Sequence, residues 1–200
     1  MNLVDRVKNI LVQPKQEWPV IAAETTDVKT LYLGYIMILA AIPAVAGLIG
    51  MTVLGSMFGR IGMGFGLVSA ILGYVLGLGM VYVVALIADM LAPSFDGEKN
   101  FIQSLKLVAY SMTAGWVAGI FHIIPGVGAL LSLLASLYGI YIFYLGVGPL
   151  KKVPEAKAVG YTVVVIIAVI IVGVIIGAIT GAVIGMGMAG AMGAAGAFSR

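Results

Sequence analysis

The sequence predicts an all-α integral membrane protein: a bundle of five transmembrane helices preceded by an amphipathic interfacial helix. Three observations predict it, namely the composition, the lengths of the uncharged runs and the placement of positive charge. Hydrophobic residues make up 62% of 200 positions and charged residues 10%, with a mean hydropathy of +1.17. A soluble domain runs about 45–50% apolar and about 25% charged.

A bilayer core of about 30 Å takes about 20 helical residues to cross. Uncharged runs of 30, 28, 44 and 42 residues separate Lys29 from Arg60, Arg60 from Asp89, Lys106 from Lys151 and Lys157 from Arg200. The first two runs hold one span each. A single helix through the third would be about 66 Å long, so it folds back at His122-Ile123-Ile124-Pro125-Gly126-Val127-Gly128, where a proline followed by glycines stops a helix. The fourth is dense in Val and Ile, then turns to Gly, Ala and Met after Gly185. Spans are expected at residues 31–52, 64–91, 104–123, 128–148 and 159–184, within a bundle domain over 31–184, with a weakly ordered Gly/Ala-rich tail over 185–200. A β-barrel would need alternating strands, and residues 163–171 are continuously apolar.

Orientation follows from the loops. With the N-terminus inside, Arg6, Lys8, Lys15, Lys29, Lys99, Lys106, Lys151, Lys152 and Lys157 lie inside and only Arg60 and Arg200 outside. That split matches the positive-inside rule and requires an odd number of spans. The expected location is the cell (inner or plasma) membrane, multi-pass, N-terminus cytoplasmic and C-terminus outside. Residues 1–30 form an N-terminal segment. Asp5, Arg6 and Lys8 interrupt any signal-peptide core, while Leu3, Val4, Val7, Ile10 and Leu11 recur at helical spacing opposite Asp5, Arg6, Lys8 and Asn9. Such a helix lies in the interface or packs on the inner ends of the bundle, and Trp18 is expected at headgroup level.

At the second inner loop, Phe101-x-Gln103-x-Leu105-x-x-x-Ala109-Tyr110-Ser111 follows a long apolar span and leads into two spans joined by a proline turn. Together with Pro14, Trp18 and the Tyr-Ile-Phe-Tyr-Leu of residues 141–145, this resembles the Yip domain family of Rab/Ypt-interacting-type membrane proteins, in its prokaryotic-looking branch, over residues 8–180. The resemblance implies five spans, a cytosolic N-terminus, oligomerisation and, in eukaryotic members, vesicle traffic through Rab GTPases. Those members carry an Asp-Leu-Tyr-Gly-Pro-type motif in a long N-terminal region. Residues 1–30 do not match it, so no Rab-binding role passes to any residue.

Asp89 is the one carboxylate inside a span, and an intramembrane acid is a functional candidate by default. It lies in the last turn of its span before Pro93, where it either pairs structurally with Lys99 or Lys106 or belongs to a polar pathway. Tyr110 and Ser111 join it as a candidate polar site, or else bond to a neighbouring helix. Gly173, Gly177, Gly181 and Gly185 recur every fourth residue and form a close-packing face, toward either another span or another copy. Gly66, Ser69, Gly73 and Gly77 offer span two as the internal partner. Tyr32, Tyr35, Tyr144 and Tyr161 are expected in an aromatic belt, and Pro43 is expected to kink span one.

One His and no Cys leave no zinc set, thiol nucleophile or Ser-His-Asp triad. No cofactor or enzyme activity is expected, and 19 ionisable side chains are too dispersed for nucleic acid. The expected partners are the lipid bilayer, a homo-oligomer and other membrane proteins. The expected function is non-enzymatic membrane organisation or trafficking-like partner binding through helix packing; the alternative is a small channel or transporter with a polar pathway near Asp89 and Tyr110.

Overall fold

A computed structural model describes residues 2–54, 63–124 and 127–198, with side chains as far as residue 182 and the surroundings of Gly185. The turn residues Pro125 and Gly126, together with Arg60 and Arg200, lie outside the described residues. Among those described, all regular structure is helical. Helix α1 spans Leu3–Val12, its first turn capped by Asn2, whose side chain accepts from the Asp5 amide. Helix α2, Pro14–Ala23, starts on a proline, which lacks only an N–H that a first turn leaves unbonded. Helix α3 runs Val28–Leu54, with the Asp27 carboxylate accepting from the Thr30 amide at 2.6 Å. Helix α4, Met63–Leu91, gives way to a tight turn at Ala92–Phe95.

Helix α5 is Phe101–Ser111 and α6 Thr113–Ala118, continued by the tighter turn Gly119–Ile123. Helices α7, Val127–Lys151, and α8, Glu155–Phe198, complete the chain. Where a weakly ordered tail is expected, α8 continues to Phe198; no proline interrupts this stretch, and Ala and Met favour helix.

Among the described residues, four helices are long and apolar enough to cross a membrane: Val28–Leu54, Met63–Phe95, Val127–Lys151 and Glu155–Ala182. The expected third span is instead broken into three pieces. Met112 flattens to ψ −9° between α5 and α6, and Thr113, Gly115 and Gly119 supply weak helix formers beyond it. Gly119 lies against Pro43 of α3, where a Cβ would sit 2.6 Å from the proline ring. The two segments therefore approach at backbone distance, and Pro43 sits within a continuous helix at that contact.

The core is concentrated at the end of the bundle that carries the charges. Ile10, Trp18, Ile21, Leu105, Leu107, Ile142, Val147 and Tyr161 are all fully or almost fully buried there. Farther along, Leu133 and Ile170 expose more than half their area, as helices that are apolar all round do when lipid is their solvent.

The N-terminal segment departs from expectation. Trp18, placed by sequence at headgroup level, is 0% exposed, and its indole N–H donates to the Ile142 carbonyl at 3.0 Å. Arg6, read as facing water, is also buried, whereas Val4 is 72% exposed. Helix α1 buries Arg6 and Ile10, and Glu17 and Glu24 are there to receive the guanidinium. The aromatic belt is likewise corrected for two members. Tyr35 and Tyr161 are buried, donating or sharing hydrogen bonds with Thr113 Oγ1 and the Ala88 carbonyl, each at 2.7 Å.

Candidate functional site

Helix α5 carries the polar chemistry, with one ionic cluster on each side. On its α4 side, Asp89 Oδ1 receives Lys151 Nζ at 2.7 Å, the Asn100 amide at 2.7 Å and the Ser104 hydroxyl at 3.1 Å. Lys151 is fully buried and also donates to the Asn100 carbonyl at 3.2 Å. Neither Lys99 nor Lys106, the partners anticipated for Asp89, holds this position. The reason is the cap: Asn100 starts α5 by accepting from the Gln103 amide, which aims its own N–H and Ser104 at the last turn of α4. Lys151 reaches the same carboxylate from the end of α7.

On the other side of α5, Arg6 pairs with both Glu17 and Glu24. Lys106 donates to the Ile21 carbonyl at 2.9 Å and to the Glu24 carbonyl, so α5 captures the end of α2. The Arg6 guanidinium carbon lies 5.5 Å above the Tyr110 ring, a cation–π distance. Tyr110 also meets Tyr35 edge-on, their centroids 4.6 Å apart. Removing one member of a buried pair leaves an uncompensated charge at a cost of about 3–5 kcal/mol, so both clusters act as clamps.

The three residues of the candidate polar site therefore separate. Asp89 sits in the Lys151 cluster, while Tyr110 lines a polar cavity of about 590 Å³ with Arg6, Glu24, Thr30 and Gly34. Ser111 lines a different cavity, of about 480 Å³, between α4, α5–α6, α7 and α8, whose walls are almost wholly apolar. Its hydroxyl is buried without a hydrogen-bond partner. Near the far end of that cavity, His122 Nε2 lies 3.2 Å from Ser132 Oγ.

The glycines of α8 also divide. Gly173 faces Met80 of α4, with a Cβ there 3.8 Å from the methyl carbon, whereas Gly177, Gly181 and Gly185 face open space. Of the span-two small residues, Gly66 packs against Thr52 and Leu48 of α3, and Gly73 and Gly77 meet no neighbour. Among the described residues, the two glycine faces do not pack on each other.

Sequence reading misses Lys151, Ser104 and the Arg6–Glu17–Glu24 set. Asn100 followed three residues later by Gln103 is a legible capping signal, and it would have located the donors around Asp89.

A multi-pass helical bundle with its ionic groups gathered at one end is a class of integral membrane protein. Residues 8–178 match the model of the Yip1 domain, and the chain belongs to that family. The curated relatives include the inner membrane protein YohC of Escherichia coli strain K12, 24% identical over 166 residues, which cover 80% of this chain and 85% of that protein. The YohC protein of Escherichia coli O6:H1 matches to the same extent. No solved structure matches the chain.

Proposed function

We propose that this chain is a non-catalytic membrane-organising protein that binds other membrane components by helix packing, with five crossings and its charged end in the cytoplasm. One observation carries the reading: the buried charges Arg6, Glu17, Asp89 and Lys151 are paired inside the chain, while the glycine face of α8 is bare. Asp89 has three internal donors, so it offers no free charge to a passing solute. Gly177, Gly181 and Gly185 meet nothing within 4 Å, and small residues at that spacing bring two helices together in lipid. The expected partner is a second copy or another spanning helix. A polar pathway joining Asp89 to Tyr110 is less well supported, because the two residues lie in different clusters.

Since the chain has no cysteine, Gly177→Cys can be oxidised in native membranes against a clean background. It should yield a disulfide-linked dimer or a cross-link to a neighbour, several-fold more than Ile175→Cys on another face. Gly177→Leu should keep the unfolding stability within about 1 kcal/mol of wild type, as expected for a face without internal contacts, yet release the assembled form to monomer. Equal cross-linking at both positions, with assembly unaffected by Gly177→Leu, would refute the packing face.

A further inference from the structure

The apolar surface that faces lipid ends at different levels on two sides of the bundle. On α8, large apolar side chains are exposed from Val159 to Ile179, about 31 Å at the helical rise, which matches a bilayer core. On α7 they are exposed from Val127 only as far as Leu137, about 16 Å. Beyond Leu137 the exposed residues of α7 are Tyr138 and Tyr141, and tyrosine favours the membrane–water interface. The Phe143 ring of α7 stacks on Tyr161 of α8, their centroids 6.2 Å apart, which brings these two positions to a common level. Hydrocarbon exposure thus begins beside Tyr161 on α8 and deeper, at Leu137, on α7, a step on the order of 10 Å.

The α1–α2 hairpin occupies that step. Trp18 of α2 donates to the Ile142 carbonyl at 3.0 Å, and the Tyr138 hydroxyl donates to the Leu11 carbonyl of α1 at 2.7 Å. The turn joining α1 to α2 therefore sits beside Tyr138, about 20 Å along α7 from Lys151. Gln13, Lys15 and Gln16 are exposed at this turn, next to the exposed Val12. Among the described residues, Lys15 has no ion-pair partner. A lysine at that depth is satisfied by phosphate and water, not by acyl chain, and a bilayer meets a short apolar face by thinning beside it.

We propose that the α1–α2 turn binds phospholipid headgroups: Lys15, flanked by Gln13, Gln16, Tyr138 and Tyr141, draws phosphates of the leaflet at the charged end down to the level of Tyr138. That leaflet is thinned beside α7 and keeps its full depth beside α8. The turn and the glycine face of α8 are separate surfaces, so either can fail without the other.

Since the chain has no cysteine, single nitroxides can be attached to the full chain at Gln16→Cys on the turn and at Val163→Cys, an exposed position of α8 at about the depth of Tyr138. In phosphatidylcholine–phosphatidylglycerol vesicles, power saturation should show several-fold greater access of a water-soluble nickel chelate to residue 16 than to residue 163, with the order reversed for oxygen. The label at residue 16 should also broaden the lipid phosphorus resonance several-fold more than the one at residue 163. Adding Gln13→Leu and Lys15→Leu, both at exposed positions, should lower chelate access at residue 16 toward that at residue 163. High chelate access at both positions would mean that the charged end stands clear of the bilayer, and low access at both that the turn lies in hydrocarbon; either result overturns the proposal. Equal phosphorus broadening, or chelate access at residue 16 unchanged by the two leucines, would overturn it as well.

Discussion

At the residue scale, the deciding fact is that Asp89 and Lys151 lie 62 positions apart and close a 2.7 Å ion pair, with Lys151 fully enclosed. Two opposite charges in low dielectric attract strongly but lose much hydration, so the pair is weak evidence for net stability and strong evidence for mutual dependence. Asp89→Leu should therefore lower unfolding stability in detergent by about 3–5 kcal/mol, because it strands the Lys151 ammonium. Lys151→Met alone should be similarly damaging. The double variant Asp89→Leu with Lys151→Met should recover most of the loss, and thermal unfolding of the four proteins measures the coupling. Additive losses would mean that the two side chains do not depend on each other.

At the element scale, the structure turns on how α1 and α2 dock. Trp18 of α2 lies against Gly146 of α7, where an added Cβ would be 2.6 Å from the indole ring and from Leu107. Gly146→Leu should consequently cost about 1–3 kcal/mol through overpacking and expel Trp18, raising iodide quenching of its fluorescence. Unchanged quenching would mean that the indole is not seated there.

The same element marks the limit of sequence reading. Apolar runs of α3, α4, α7 and α8 are legible because only a helix satisfies the backbone in lipid, and all four emerge as unbroken helices. Leu3, Val7 and Ile10 reveal α1 by periodicity. Burial of Arg6 is not legible, since it depends on Glu17 and Glu24 arriving from another helix. Asp89 is visible as an odd charge in a span, whereas its partner Lys151 looks like one more cytoplasmic lysine. The break at Met112 is not legible, because a window of hydropathy does not register scattered weak helix formers such as Thr113, Gly115 and Gly119.

For the whole molecule, topology rests on the nine-to-two division of Lys and Arg. Cysteines at Ser94 and Pro154 should label with a membrane-impermeant maleimide only from the cytoplasmic side, and one at Ser199 only from outside. Cytoplasmic labelling at Ser199 would remove the five-crossing reading.

The central claim is that the charges of this chain hold it together and do not conduct. A transporter of charged solutes needs stabilised charge along its path, and here Asp89 is committed to Lys151, Ser104 and Asn100. The most direct test is flux in vesicles carrying a potential or a pH gradient. Wild type and Asp89→Asn should both move ions and protons no faster than protein-free vesicles, with Asp89→Asn altering stability alone. A flux present in wild type and lost in a folded Asp89→Asn protein would contradict the account.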